Sequence, residues 1–89
     1  MKPWFVYIVR CSDDSLYTGI SNDIKARVKR HNDGQGAKYT RSRRPVKLML
    51  KERMKTASAA RKREYEIKTW NKVKKEKLVS AGRSKRKRV

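Results

Sequence analysis

Trp4-Phe5-Val6-Tyr7-Ile8-Val9-Arg10, then Cys11-Ser12-Asp13-Asp14-Ser15, then Leu16-Tyr17-Thr18-Gly19-Ile20 is the stretch that decides the fold. The first run is aromatic and β-branched with no breaker, which predicts a strand over 4–10. The spacer is too polar for a core and long enough for a hairpin turn. Leu16 to Ile20 is therefore the antiparallel partner. Each strand carries a tyrosine, Tyr7 and Tyr17, and neighbouring strands can bring two phenols close enough to share a proton or a water. Gly19 inside a strand pattern predicts close approach of another backbone or of a ligand.

Outward from the hairpin, Ser21 or Asn22 can cap a helix with Asp23 in its first turn. That helix runs to about His31 or Asn32 and breaks at Gly34 and Gly36. Residues 34–45 form a basic loop holding Lys38, Arg41, Arg43 and Arg44. Val46 to Glu52 reads as a third strand. Thr56 or Ser58 starts a second helix that continues to about Trp70. Asn71 to Val79 is a third helical piece or a continuation of the second, and Gly82 stops it. The order is β-β-α-β-α-α, an α/β (α+β) architecture with helices packed on a small three-stranded sheet. Residues 1–82 form one domain, and the basic tail 83–89 is expected to be disordered.

Composition limits the function classes. With 89 residues, one domain is expected, near the lower end for a self-sufficient core. The formal net charge is +19, from 27 Lys+Arg against 8 Asp+Glu. Such an imbalance calls for a polyanion, with nucleic acid ahead of an acidic membrane surface because aromatic and basic residues interleave. The lone Cys11 has no disulfide partner in the chain, which suits a reducing cytoplasm. No Cys or His partners stand at zinc-ligand spacing. The opening apolar run is too short for a signal segment, and no membrane span is present.

Two helical faces carry the chemistry. In the first helix Ile24, Arg27, Val28 and His31 share a stripe. A buried arginine costs several kcal/mol, by order of magnitude, without an anionic partner, and a substrate phosphate would be one. In the second helix Ala57, Ala60, Glu64, Ile67 and Asn71 share a stripe. Glu64 is then a carboxylate among small and apolar neighbours, a candidate metal ligand alongside a phosphate and waters. Taken alone, it could instead pair with Arg61 or Lys68 across one turn. The other carboxylates read as turn, cap or strand-end residues, and no pair suits two-metal catalysis.

Together these positions resemble the GIY-YIG nuclease family, in particular its small stand-alone bacterial members. The first motif reads Val6-Tyr7-Ile8, with valine for the family's glycine. The second reads Tyr17-Thr18-Gly19, with threonine for isoleucine. Arg27 lies ten residues after Tyr17, and His31 four further on. Glu64, within Ala60-Arg61-Lys62-Arg63-Glu64, matches the metal-binding glutamate. The resemblance covers roughly residues 4 to 80. It implies a three-stranded antiparallel sheet flanked by helices, and hydrolysis of phosphodiester bonds with one divalent ion, Mg2+ or Mn2+.

The expected site is therefore Tyr7, Tyr17, Arg27, His31 and Glu64, with Gly19 in support. Tyr7 acts as general base with help from cations or a relay, since a free phenol has a pKa of about 10. Tyr17 orients the water, and Arg27 stabilises the phosphoryl oxygens. His31 serves as proton relay or phosphate donor, and Glu64 binds the metal. Lys38, Arg41, Arg43 and Arg44, with Arg83, Lys85, Arg86, Lys87 and Arg88 of the tail, read as phosphate contacts. Tyr39 is a candidate for stacking on a base. The expected partner is DNA and the expected role repair or recombination. The second reading is a non-catalytic nucleic-acid binder on the same fold.

Overall fold

β1 (Trp4–Arg10) is the middle strand of a three-stranded antiparallel sheet of order β2-β1-β3. A computed structural model of the chain describes the backbone of residues 3–87 and the side chains of residues 3–82. β2 (Leu16–Ser21) and β3 (Lys47–Met54) flank β1, so Tyr7 lies opposite Gly19 on one side and Lys51 on the other. The antiparallel sheet and the element order agree with the sequence expectation.

The hairpin turn is closed by Cys11 N–H donating to the Ser15 carbonyl at 2.8 Å. Asp14 takes a left-handed conformation there, with φ 70°. Aspartate tolerates this region better than most residues.

A central strand is covered on both faces, and the alternation of β1 follows from that. Val6 and Ile8 pack with Met49, Leu50, Ala60, Ile67 and Val79 beneath the C-terminal helices. Tyr7 and Val9 pack on the opposite side with Cys11, Ile24 and Val46. The pairing with β3 slips between Ile8 and Val9, from Leu50 to Leu48. The extra residue, Met49, is thereby buried in the same cluster as Leu50.

α1 (Ile24–Asn32) has its cap at Asp23, one position after Asn22 and two after Ser21, the caps expected from sequence. Asp23 is the cap and accepts from Ala26 N–H at 3.2 Å, while Ser21 Oγ accepts from Asp23 N–H at 2.9 Å. Its last residue, Asn32, clamps Val46 through both backbone groups, at 2.6 and 3.1 Å. The intervening segment is not all loop, because Lys38–Arg41 forms a single helical turn, α2. Four residues are too few to leave a periodic signal.

α3 (Ala57–Lys68) is capped by Thr56, which accepts from Ala59 N–H at 3.0 Å. α4 (Lys72–Lys87) is a separate helix. Asn71 starts it, accepting from Lys74 N–H at 2.9 Å, and so leaves the α3 stripe on which the sequence placed it. Gly82 does not end this helix, whose backbone continues to Lys87 where a disordered tail was expected. A mid-helix glycine costs only about 1 kcal/mol. Here a β-carbon at Gly82 would run into Leu50 Cδ1, so the glycine lets α4 lie close to β3. Residues 88–89, and the side chains of 83–87, lie outside the described residues.

Two bidentate ion pairs join helices to the sheet. Arg10 meets Glu76 of α4 at 2.6 and 2.7 Å, and Arg63 of α3 meets Glu52 of β3 at 2.8 and 3.2 Å. Among the described residues no helix is long and apolar enough to cross a membrane. Cys11 is a buried free thiol, whose pKa burial pushes up.

Candidate active site

The Tyr7 ring lies across β2 at Gly19. A β-carbon on Gly19 would fall 2.5 Å from the Tyr7 hydroxyl oxygen. The close approach predicted at Gly19 is therefore made by a side chain of the neighbouring strand. Every larger residue there would displace the phenol.

α1 presents Arg27 and His31 one turn apart toward that phenol. The Tyr7 hydroxyl sits 2.7 Å from His31 Nε2, and Arg27 Nε–H donates to the Tyr7 oxygen at 3.4 Å. His31 Nδ1 is 2.7 Å from Thr40 Oγ1, and Thr40 Oγ1 in turn donates to the Ala37 carbonyl at 3.0 Å. Tyr7 is 1% exposed, and His31 and Thr40 are 0% exposed. The polar chain is thus a buried one with its groups satisfied.

Tyr17 completes the wall. Its ring meets His31 edge-on at 5.5 Å and stacks on Tyr39 at 5.8 Å with 25° between planes. The Arg43 guanidinium covers Tyr39 at 4.0 Å from the ring centroid. Arg43 also donates to Asp13 at 2.9 Å and to the Tyr39 carbonyl at 2.8 Å. The hairpin turn and the α2 segment are strapped together across the site by this one arginine.

Glu64 arrives from α3 with its side chain 21% exposed, and Lys68 lies 3.0 Å from its carboxylate. The Lys68 ammonium is 5.6 Å from the centre of the Tyr17 ring. Burial pushes the Tyr7 phenol above its ordinary pKa, the Arg27 hydrogen bond and charge oppose this, and Tyr17 and Glu64 add to the rise. Burial, then the charge of Arg27, pull His31 below the usual imidazole value. At neutral pH the site therefore holds a protonated phenol beside a neutral imidazole.

The five expected residues come together from β1, β2, α1 and α3. The structure removes one of the two roles considered for His31. Both of its ring nitrogens are engaged and the residue is buried, so it has no nitrogen available to a phosphate. Tyr39 stacks on Tyr17 and lies against the Arg43 guanidinium, yet it is 39% exposed, so part of the ring faces solvent.

The basic loop divides. Lys38 and Arg41 are exposed, and among the described residues their side chains have no protein partner. Arg43 is committed to the strap. Arg44 donates to the Arg41 carbonyl at 3.0 Å and the Asn32 carbonyl at 3.3 Å. Arg83, Lys85, Arg86, Lys87 and Arg88 have side chains outside the described residues.

Among the described residues no three His, Cys, Asp or Glu side chains gather as a metal cage. Glu64 offers hard carboxylate oxygens on a partly open surface. That donor set suits an ion such as Mg2+ or Mn2+ that keeps most of its waters and takes further oxygens from a phosphate.

Sequence reasoning missed Thr40 and Gly36. A β-carbon at Gly36 would run into His31 Nδ1, so this glycine leaves room for the imidazole. The available signal was the glycine pair Gly34 and Gly36, closely following the histidine.

Residues 3–77 match the GIY-YIG catalytic domain. The chain belongs to the GIY-YIG family. Among its relatives is a UPF0213 protein of Staphylococcus aureus (strain Mu3), 60% identical over 79 residues, spanning 89% of this chain and 96% of that protein. The UPF0213 protein SSP2268 of Staphylococcus saprophyticus is 56% identical over 82 residues, spanning 92% and 100%. Two solution NMR structures share the GIY-YIG fold seen here. The UPF0213 protein BH0048 of Bacillus halodurans is 43% identical with a TM-score of 0.58, covering 89% of this chain and 84% of that one. The protein EF2693 of E. faecalis is 36% identical with a TM-score of 0.62, covering 91% and 86%. The family resemblance read from the two tyrosine motifs, Arg27, His31 and Glu64 is therefore correct.

Proposed function

We propose that this GIY-YIG domain is a divalent-metal-dependent endonuclease acting on DNA in the cytoplasm, in repair or recombination. The observation that carries the reading is the contact chain from Arg27 through the Tyr7 hydroxyl to His31 Nε2. A phenol held above its ordinary pKa is a poor base by itself. A phenol that passes its own proton to a neutral imidazole as it takes one from water is an effective one.

In this mechanism one water enters between Arg27, Tyr17 and Glu64, the half-buried residues around Tyr7. Tyr7 accepts its proton while His31 Nε2 accepts the phenolic proton. Tyr17 orients the water. Arg27 faces the phosphoryl oxygens as negative charge grows on them. Glu64 would hold Mg2+ or Mn2+ together with a substrate phosphate and waters. When bound, the ion supplies charge stabilisation of the phosphate and the departing oxygen. Lys68 gives up its ion pair with Glu64 in that state. Lys38 and Arg41 supply phosphate contacts beside the site, and the tail basic residues extend them.

Cleavage of plasmid and branched DNA by the purified protein tests this reading. Glu64→Ala and Arg27→Ala should each lose activity, the latter by about 10²- to 10³-fold, as when a charge-stabilising donor is removed. Activity equal to wild type in both variants would mark a contaminating nuclease.

One observation favours the second reading, a non-catalytic binder. Glu64 is already neutralised by Lys68 at 3.0 Å. A phosphate chain can then pass the carboxylate without a metal. DNA binding that Mn2+ leaves unchanged, with no cleavage under any metal, would support the binder.

A further inference from the structure

The buried chain at His31 has groups of fixed character at both ends. Arg27 can only donate, since a guanidinium has no acceptor. Its Nε–H therefore occupies the Tyr7 oxygen as an acceptor. The Tyr7 hydroxyl proton must then go elsewhere, and among the described residues the atom in reach is His31 Nε2 at 2.7 Å. At the other end the Ala37 carbonyl can only accept, and it takes the Thr40 hydroxyl proton at 3.0 Å. Thr40 Oγ1 has no second proton, so toward His31 Nδ1 at 2.7 Å it is an acceptor. The opposite arrangement, with the proton on Nε2, would leave the phenolic proton facing a guanidinium with no acceptor. It would also turn the Thr40 hydroxyl proton away from the Ala37 carbonyl, which also accepts from the Thr40 and Arg41 backbone N–H groups. A buried hydroxyl proton without an acceptor is disfavoured, and this selects the first arrangement.

We infer that Thr40 is a positioning residue that holds the neutral His31 imidazole as the Nδ1–H tautomer, leaving the Nε2 lone pair aimed at the Tyr7 hydroxyl. The bonds run in one direction, from Arg27 to Tyr7 to His31 to Thr40 to the Ala37 carbonyl. Gly36 is part of the same device, because a β-carbon there would enter the space of Nδ1. The catalytic consequence rests on the nuclease reading above, but the tautomer assignment does not.

His31 is the only histidine in the chain, so its ring nitrogens can be read without ambiguity. In uniformly 15N-labelled protein at neutral to mildly alkaline pH, two-bond proton–nitrogen correlation should show a protonated Nδ1 and a bare Nε2. Thr40→Val should shift the proton to Nε2 or mix the two forms, and Thr40→Ser should restore the wild-type pattern. Cleavage should fall about 10- to 100-fold in Thr40→Val, the usual cost of losing an orienting outer hydrogen bond, and recover in Thr40→Ser. A wild-type proton on Nε2, or an unchanged pattern in Thr40→Val, overturns the inference. The wild-type spectrum alone decides the tautomer if the valine variant fails to fold. The expected tautomers with no cleavage by any variant would uphold Thr40 and overturn the nuclease reading instead.

Discussion

The Tyr7 hydroxyl lies 2.7 Å from His31 Nε2, across 24 residues of sequence and inside the core on the α1 side of the sheet. This contact fixes both the proposed chemistry and part of the fold's stability. It couples a buried phenol to a buried imidazole, each of which resists ionisation.

The first prediction is a pH profile of stability with two limbs. His31 has its pKa lowered from 6.5. The unfolded chain therefore binds more protons just below that value, and stability is present above about pH 6.5 and falls as pH drops through the folded pKa. Tyr7 has its pKa raised from 10.0. Its contribution is present below about pH 10 and is lost as pH rises through the folded pKa. Each limb can reach at most about 1.4 kcal/mol per pH unit. Urea unfolding across pH should show a plateau between the limbs. His31→Gln should flatten the acid limb above the carboxylate range, and Tyr7→Phe the alkaline limb.

Thr18 offers a stability gain. Its hydroxyl is buried without a hydrogen-bond partner among the described residues. It stands where the family has isoleucine, on the far side of β2 from the Tyr7 phenol. Thr18→Val should stabilise the protein by about 1 kcal/mol, within the usual cost of a buried unsatisfied group. Chemical denaturation at neutral pH measures this, and DNA affinity and cleavage should not change.

Nucleic-acid binding should separate the loop cations. Lys38→Ala and Arg41→Ala should each weaken DNA binding and reduce the slope of log affinity against log salt by about 1. Arg43→Ala should instead loosen the strap over Tyr39 and Asp13. Its first effect is lower thermal stability, with altered Tyr17 and Tyr39 ring signals in NMR. Fluorescence anisotropy over a salt series distinguishes the two behaviours.

Lys68 should compete with the metal for Glu64. The partly exposed pair is worth about 0.2–1 kcal/mol. Lys68→Met should therefore tighten Mn2+ binding by up to about fivefold, measured by paramagnetic relaxation of signals near Glu64. Glu64→Gln should abolish that relaxation effect.

Much of this architecture is readable because it rests on local pattern. The apolar run 4–10, the polar spacer and Gly19 specify the hairpin, and Thr56 and Gly34 bracket helices, whereas the first cap falls at Asp23 and not at Ser21 or Asn22. The candidate site residues stand out because Arg27, His31 and Glu64 fall on otherwise apolar stripes, where a polar group needs a reason. Thr40 was not legible, since its importance comes from a tertiary contact with His31 and its host helix is one turn long. The dual role of Arg43, phosphate contact by composition but strap by geometry, depends on Asp13 thirty residues away. Gly82 misled because its helix-breaking cost is small beside the close packing it permits against Leu50.

Metal-dependent DNA cleavage by the wild-type chain beside Tyr7→Phe and Glu64→Gln, each verified as folded, tests the central claim most directly. The account predicts nicking that needs Mg2+ or Mn2+, stops with chelator and disappears in both variants. Cleavage surviving in both variants, or none from the wild-type protein on supercoiled and branched DNA with either ion, would contradict it.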